Sequence, residues 1–553
     1  MARHIKATGG EFNGWMAKQV EKLGSPVCQI FTRPFSKPWI LVADFREAED
    51  ILMRRPEFDK PTFLSDGMLC LGEFAARYKT NDAFKYRRHL KHDLMAPTFL
   101  NNHVGPFVHR KGLELVRLLD MKIDLAQGRP FSIRHDYENV ALDIVTHYEF
   151  GENMTLSAVR PQLELLSKRV HHRFATGPTD RDEPVELPEA RLDPFLMAVD
   201  QAPAVLEKTT NSWVPKLSHW WWTHQSWYKN IFSHRGYVIP EQIAKAIRNY
   251  QRGKVNSALE HVIMREAAMA EKEGRSPQFG AQWLIDEVSP VPNCLPDIVS
   301  FITFASRGLT NCAIIQAFGD LIASHHTNSG AMSWTNKYLT DYPKFQAMLR
   351  AHLHSELSAA AVEKRQPTYE EITKARLPYL EAVIAEMQLL TPFSMVREAT
   401  CDTMILGHMV PKGCQVFMVN GGPGYLSPSL HVDEALRSET SRKARSRGSW
   451  DETKDLRAFD PQRWLERRSD GTCEFNAVAG PQLGFGAGPR QCWGRRMAQL
   501  QVKIIMTLVV WNFEFLPVPT SLGGYEARDG ISRQPQKVFV RMRSLAQPEL
   551  NRA

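Results

Sequence analysis

One ten-residue stretch, Phe485-Gly486-Ala487-Gly488-Pro489-Arg490-Gln491-Cys492-Trp493-Gly494, constrains this chain more than any other. It sets a single cysteine in a glycine-rich loop, with an arginine two residues before it. A strongly helical run, Arg495 to Trp511, follows at once. Glycines let a backbone turn tightly and approach a flat ligand. Backbone N–H groups at a helix start favour a negative sulfur. Arg490 is placed to pair with a carboxylate of such a ligand. The combination suits a cysteine thiolate that ligates a haem iron from a helix N-terminus. The ordinary alternative is a buried cysteine beside a Gly-rich turn.

The stretch resembles the haem-binding signature of the cytochrome P450 family, Phe-x-x-Gly-x-Arg-x-Cys-x-Gly. Phe485, Gly488, Arg490, Cys492 and Gly494 fill its fixed positions, and Gly486 lies within the same cradle. The resemblance runs from about Gln29 to Met542. It implies a mainly α fold with small β-sheets, the cytochrome P450 fold, as a single haem domain over residues 1–553. Length alone would suggest several domains. No linker, repeat or low-complexity tract separates them.

The formal net charge of +8 is spread along the chain, which argues against a nucleic-acid-binding protein. It leaves a basic face for an acidic protein partner or an anionic membrane. The eight cysteines form no C-x-x-C pair, so neither a zinc site nor a thioredoxin-like site is suggested, and a reducing, cytosol-facing location fits. No apolar run reaches the roughly 20 residues that cross a bilayer, and Met1 to Lys22 is polar rather than a signal peptide. Since eukaryotic members of the family carry an N-terminal membrane helix, the resemblance implies the cytoplasmic face of the endoplasmic reticulum for a chain whose anchor is missing, and the cytoplasm for a soluble member.

Local pattern predicts a strand over Pro38 to Ala43 and helices over Phe45 to Arg54, Phe84 to Ala96, Ser132 to Phe150 and Ala158 to Phe174. Pro178 to Pro194 reads as a loop. Ile239 to Glu273 reads as one long charged helix. Helices over Pro343 to Ala360, Tyr369 to Ala375 and Leu380 to Leu390 follow, then a hairpin over Thr403 to Val419 turning at Pro411-Lys412-Gly413, and a polar loop from Ser438 to Glu452.

The resemblance assigns roles to dispersed residues. The helix from Phe84 carries the family's propionate arginine at Arg88, with Phe84 in place of a tryptophan; residues four apart share a helix face. Its bases also suit docking of a reductase by charge. Arg397 matches a second propionate arginine, and Arg490 pairs with a propionate too. The family's Glu-x-x-Arg motif falls on Glu386 with Leu389 at the arginine position, and Arg463 supplies the downstream arginine of that network. A buried carboxylate deprived of a partner costs on the order of 3–5 kcal/mol.

In the family an Ala-Gly-x-Asp-Thr-Thr helix relays protons to dioxygen. Ala323-Ser324-His325-His326-Thr327-Asn328 matches it with changes, making Thr327 and His326 the catalytic candidates. An unperturbed histidine pKa of about 6.5 suits proton relay. The segment Phe304 to Thr310 is the weaker match. With Thr327 so placed, residues 288–316 become an extra block, a retained intron or an insertion. Trp213, Trp220, Trp221, Trp222, Trp227 and Tyr228 crowd one region, where a membrane interface and ordinary burial are both open.

Together these imply a fungal-type, microsomal-like haem-thiolate monooxygenase of secondary metabolism. It would contain haem b (iron protoporphyrin IX) and oxidise an apolar small-molecule substrate with dioxygen. Electrons would come from NADPH indirectly, through NADPH–cytochrome P450 reductase, with cytochrome b5 as a second candidate donor; the chain has no flavin or nicotinamide motif of its own. The altered motifs leave two alternatives: a haem-thiolate isomerase or dehydratase, and a degenerate haem-binding pseudoenzyme.

Overall fold

A computed structural model describes residues 1–32, 36–71, 74–168, 181–233, 235–277, 312–444 and 447–545. Strands β1 (Val27–Ile30) and β2 (Trp39–Val42) open the main sheet. Helix α1 (Phe45–Met53) starts at Asp44, whose side chain accepts the Glu47 N–H. After the short β3 (Phe58–Asp59), helix α2 (Asp82–Leu90) is capped in the same way by Asn81. The long helices α3 (Gly105–Ala126) and α4 (Arg134–Phe150) follow. Next come α5 (Pro194–Thr210), α6 (Pro215–Thr223), α7 (Arg235–Gln251) and α8 (Ala258–Glu273). The 30-residue α9 (Cys312–Asp341) crosses the molecule. Helix α10 (Pro378–Leu390), strands β4 (Met395–Ala399) and β5 (Gln415–Met418), and α11 (Arg495–Asn512) complete the frame around the site.

Helix α9 packs along α4, while α11 packs on α3 and also touches α9. Leu115, Leu119, Tyr137, Val140, Ile505 and Val509 join these helices in one apolar core. A second cluster fills the space between α5, α7 and the start of α9, around Phe195, Val199, Ile243 and Phe318. The main sheet runs β1-β2-β5-β4-β3. Residues from the two ends of the chain meet in it: β2 pairs parallel with β5, Trp39 opposite Gln415.

Four expectations change. The predicted hairpin over Thr403 to Val419 is shorter, closing between Thr403–Ile405 and His408–Val410 at Leu406-Gly407. Gln415–Met418 leaves it for the main sheet, where β2 and β4 complete its hydrogen bonding. The long charged helix is two helices, α7 and α8. Gly253 takes a left-handed φ of 71°, and Ser257 with Glu260 forms a capping box that starts α8. The basic helix ends at Leu90 and continues as a tighter turn over His92–Met95. The polar loop holds one short helix, Glu439–Lys443. The end of the helix predicted to Phe174, the Phe304 to Thr310 segment and residues 288–311 of the extra block lie outside the described residues.

Candidate active site

The cysteine loop is held by its own backbone. Gly486 N–H donates to the Leu483 carbonyl, Gln491 N–H to that of Gly488, and Cys492 N–H to that of Phe485. Gly488 sits at φ +70°, and a Cβ there would lie 2.1 Å from the carbonyl oxygen of Leu52 at the end of α1. Only glycine fits that approach. Gly494 is the N-cap of α11, so Cys492 stands two residues before it. Burial pushes the Cys492 thiol up. The backbone N–H groups of Gly494 and Arg495 and the charges of Arg88 and Arg495 pull it down. Cys492 is exposed only in the sense that it faces two cavities whose walls it helps to form.

The first cavity, about 560 Å³, lies between this loop and α9. Cys492, Phe485 and Arg490 line one wall; Ala323, Ser324, Thr327 and Asn328 line another. Phe74, Val145, Leu206 and Ile322 make the lining largely apolar. The Thr327 hydroxyl donates to the carbonyls of Ala323 (3.0 Å) and Ser324 (3.1 Å), one turn back. Asn328 donates to Gln501 Oε1 on α11 at 2.9 Å, fixing α9 to the cysteine helix.

His326 is not brought to this cavity. One residue is about 100° of rotation on an α-helix, and that turn carries His326 from the Thr327 flank toward α5, with Nε2 3.4 Å from the Asp200 carbonyl. The reading of His326 as a relay beside Thr327 is therefore corrected. The cavity carboxylate is Asp320, in a buried ion pair with Lys91. Lys91 Nζ also lies 4.8 Å over the Trp493 ring. Nothing local in the sequence marks this pair, because the partners stand 229 residues apart.

Cations gather at one end of the cavity. Arg88 and Arg490 line it, and both guanidiniums lie against the Phe84 ring, at 5.9 and 4.2 Å. Arg397 is buried beside Arg490, behind the cavity wall. Burial first, then Arg490, lowers its pKa to about 10. Lys60, unnoticed in the sequence, is buried in the same group, and desolvation followed by Arg490 and Arg397 lowers it to about 7. Asp59 is the carboxylate that opposes these shifts. Among the described residues, the hydrogen bonds of Arg490 are long, 3.4 Å to Thr80 Oγ1 and 3.4 Å to the Ala76 carbonyl.

Glu386 on α10 is fully buried. Its oxygens accept Asp460 N–H (2.9 Å) and Trp464 Nε1–H (2.8 Å), with Arg463 Nε at 3.3 Å. Desolvation outweighs these partners and raises its carboxyl to about 7. Leu389 points into the apolar cluster that contains Trp464. The indole thus donates to the carboxylate whose family arginine is missing.

Comparison with known proteins gives the same frame. The family model described as Cytochrome P450 matches residues 295–423 and 455–542, beginning inside the 288–316 block. The Cytochrome P450 monooxygenase xilC of Penicillium rubens is 34% identical over 96% of this chain and 87% of its own length. The Cytochrome P450 monooxygenase TRI13 of Fusarium sporotrichioides is 31% identical over 100% of this chain and 92% of its own. A third, GME11363 of Pestalotiopsis microspora, is 32% identical over 97% and 89%. The chain belongs to the cytochrome P450 family. It is a haem-thiolate monooxygenase of the fungal type, and the isomerase and pseudoenzyme readings find no support in these relatives.

The residues present fit the haem that membership implies. Several buried or half-buried cations converge on one end of the cavity with Asp59 opposing them, a charge excess that the anionic edge of a haem would neutralise. A Cβ added at Gly494 would meet nothing within 4 Å, so open space is kept on the cysteine loop where a flat ligand needs it. Among the described residues no helix is long and apolar enough to cross a membrane.

Proposed function

We propose that this P450 inserts one oxygen atom into an apolar organic substrate of secondary metabolism held in the 560 Å³ cavity. The observation that carries this is the pairing of Cys492 and Thr327 on facing walls of one largely apolar space. Cys492 would hold a haem b through its thiolate, and that group would supply the chemistry of dioxygen activation. Arg88, Arg397 and Arg490 hold its carboxylates, and Phe84, Phe485, Gly486 and Gly494 shape the ring's bed. The Thr327 hydroxyl holds a proton path at the cavity wall, freed from the Ala323 and Ser324 carbonyls when it turns toward the substrate side. The apolar walls orient the substrate and exclude water. Glu386 and Arg463 brace the 460–464 segment against α10.

P450 chemistry takes electrons from a redox partner. NADPH–cytochrome P450 reductase, with cytochrome b5 as a second donor, suits the basic rim of the second cavity, where Lys85, Arg88, His89, His92, Arg495 and Arg496 surround Cys492. Exposed Trp213 (70%), Trp220 and Trp221 (58% each) on and before α6 suit peripheral contact with the cytoplasmic face of the endoplasmic reticulum. Trp222 and Trp227 instead pack against the second core cluster, which holds Tyr228. The block 288–316 is read as a retained intron or an insertion; uninterrupted coding sequence in the transcript across codons 287–317 refutes the intron, and the family model's match from residue 295 stands on the side of coding sequence.

The test of the function is spectral. Reduced protein with carbon monoxide should give the thiolate-type Soret band, and a panel of apolar compounds should produce substrate-binding difference spectra followed by NADPH- and reductase-dependent oxygenated product. A normal band with turnover of a rearranged, unoxygenated product would refute the monooxygenase assignment for the bound compound.

A further inference from the structure

The flank of α9 outside the cavity carries a second cluster. His325 is wholly buried. Its Nδ1 lies 3.0 Å from the Leu321 carbonyl, one turn back, so Nδ1 carries the proton and Nε2 carries the lone pair. That Nε2 has no hydrogen-bond partner among the described residues and is aimed at Asp200 Oδ1, 3.9 Å away on α5. His326 stands beside it, ring centroids 4.5 Å apart, with Nε2 toward the Asp200 carbonyl. One donor atom from each of Asp200, His325 and His326 lies within 4.8 Å of the others.

We propose that Asp200, His325 and His326 form a divalent transition-metal site, zinc by its donor set, that fastens α5 to α9 on the side away from the substrate cavity. Two imidazoles and one carboxylate, with water as the fourth ligand, are a zinc-type set. Magnesium and calcium, which prefer all-oxygen shells, do not suit it. The donors must close from 4.8 Å toward the roughly 3.3 Å spacing of ligands in a tetrahedral zinc site. Asp200 can supply that movement, being 36% exposed at its side chain.

One feature of the surroundings points the same way: the Nδ1–H of His325 on a backbone carbonyl is the outer hydrogen bond that fixes a ligating imidazole's tautomer and ring plane. The consequence is a clamp at the α5–α9 contact, so zinc should stiffen the cavity's roof without touching the reacting atoms.

The experiment uses haem-loaded full-length protein, in which the haem occupies Cys492. The protein is stripped with chelator and titrated with zinc chloride by calorimetry, with elemental analysis after dialysis. One zinc per chain is expected, with a rise in melting temperature that magnesium does not reproduce. Asp200→Asn and His326→Gln, at partly exposed positions that tolerate substitution, should each weaken binding by at least the roughly tenfold that loss of even an outer-shell partner costs. The double variant should lose the melting shift while keeping its haem spectrum. Absence of stoichiometric binding overturns the site. Zinc binding of unchanged affinity in the double variant overturns it too, and assigns the metal to exposed thiols such as Cys401 and Cys473.

Discussion

Three glycines of the cysteine loop should fail differently when each is changed to alanine, because the structure gives each a different neighbour. At Gly488 the new Cβ would sit 2.1 Å from the Leu52 carbonyl oxygen and 3.0 Å from Met53 Cα, at φ +70°. A left-handed backbone costs a non-glycine residue about 1–2 kcal/mol. The contact adds more, since the loop must back off α1 by roughly 1 Å to reach van der Waals distance. Together these come to about 3–5 kcal/mol, in the range reserved for named structural failures. At Gly486, φ is +67° but the nearest atom is Met395 Sδ at 3.5 Å, so the cost is the backbone strain alone, about 1–2 kcal/mol. At Gly494, φ is −78° and nothing lies within 4 Å, so the protein itself pays almost nothing. The assay is thermal melting together with haem per chain for the three variants. Melting should fall in the order Gly488, Gly486, Gly494, from largest loss to smallest. Haem content should fall in Gly494→Ala out of proportion to its melting change. Equal losses in all three, or a Gly488→Ala protein that melts and binds haem as the parent does, would refute the reading of this loop.

Cys492→Ser should abolish the thiolate-type carbon-monoxide spectrum, because a serine hydroxyl stays protonated at neutral pH; its retention removes Cys492 as the ligand. Glu386, raised from 4.5 to about 7, favours folding in its neutral form, so the contribution is full below pH 4.5 and lost as pH rises through 7, about 3 kcal/mol in all. Unfolding midpoints from pH 5 to 8 should therefore slope less in Glu386→Gln than in the parent, and parallel slopes would mean that the carboxylate is already ionised by Arg463 and its N–H donors. Leu389→Arg, three residues on along α10, should flatten the same slope and raise haem occupancy by giving the carboxylate a second cation; an unchanged slope with less haem would mean the cluster around Trp464 has no room for it. Thr327→Ala should release more hydrogen peroxide per NADPH with haem and substrate binding kept, whereas Thr310→Ala should leave coupling intact; the reverse result moves the oxygen-activating segment into the 288–316 block.

What could be read from the sequence was local. The Cys492 loop is written in ten consecutive residues, and its glycines, arginine and following helix act on one another without help from elsewhere. Helices α1, α4 and α11 were legible for the same reason: their apolar faces lie within the segment, and α1 carries its own side-chain cap at Asp44. What escaped reading depends on partners far along the chain. Gln415–Met418 looked like a hairpin arm because its true neighbour, β2, lies near the opposite end of the chain. Lys91 looked like part of a basic surface until Asp320 closed on it. Lys60 carries no local mark at all, and becomes notable only where Arg397 and Arg490 arrive beside it. Leu389 read as a lost partner because the indole N–H of Trp464, 78 residues beyond Glu386, is invisible to a motif built of charges.

The departures from the family pattern then sort by where they point. Leu389 faces an apolar cluster and Trp464 answers for it; His326 faces α5 and does not touch the cavity. Ser324 and Asn328 do face the cavity, and they bring a hydroxyl and an amide, with Asn328 committed to Gln501. The carboxylate that lines this cavity among the described residues is Asp320, seven residues before Thr327. Seven residues are nearly two turns, so the two share a face of α9 but stand about 10 Å apart along its axis. Asp320 is too far to hand a proton to Thr327 directly, and its charge is already answered by Lys91. If Thr327 serves as proposed, proton delivery would run through its hydroxyl and solvent rather than through Asp320, and coupling would depend on Thr327 without the adjacent acid that shares the task in its family.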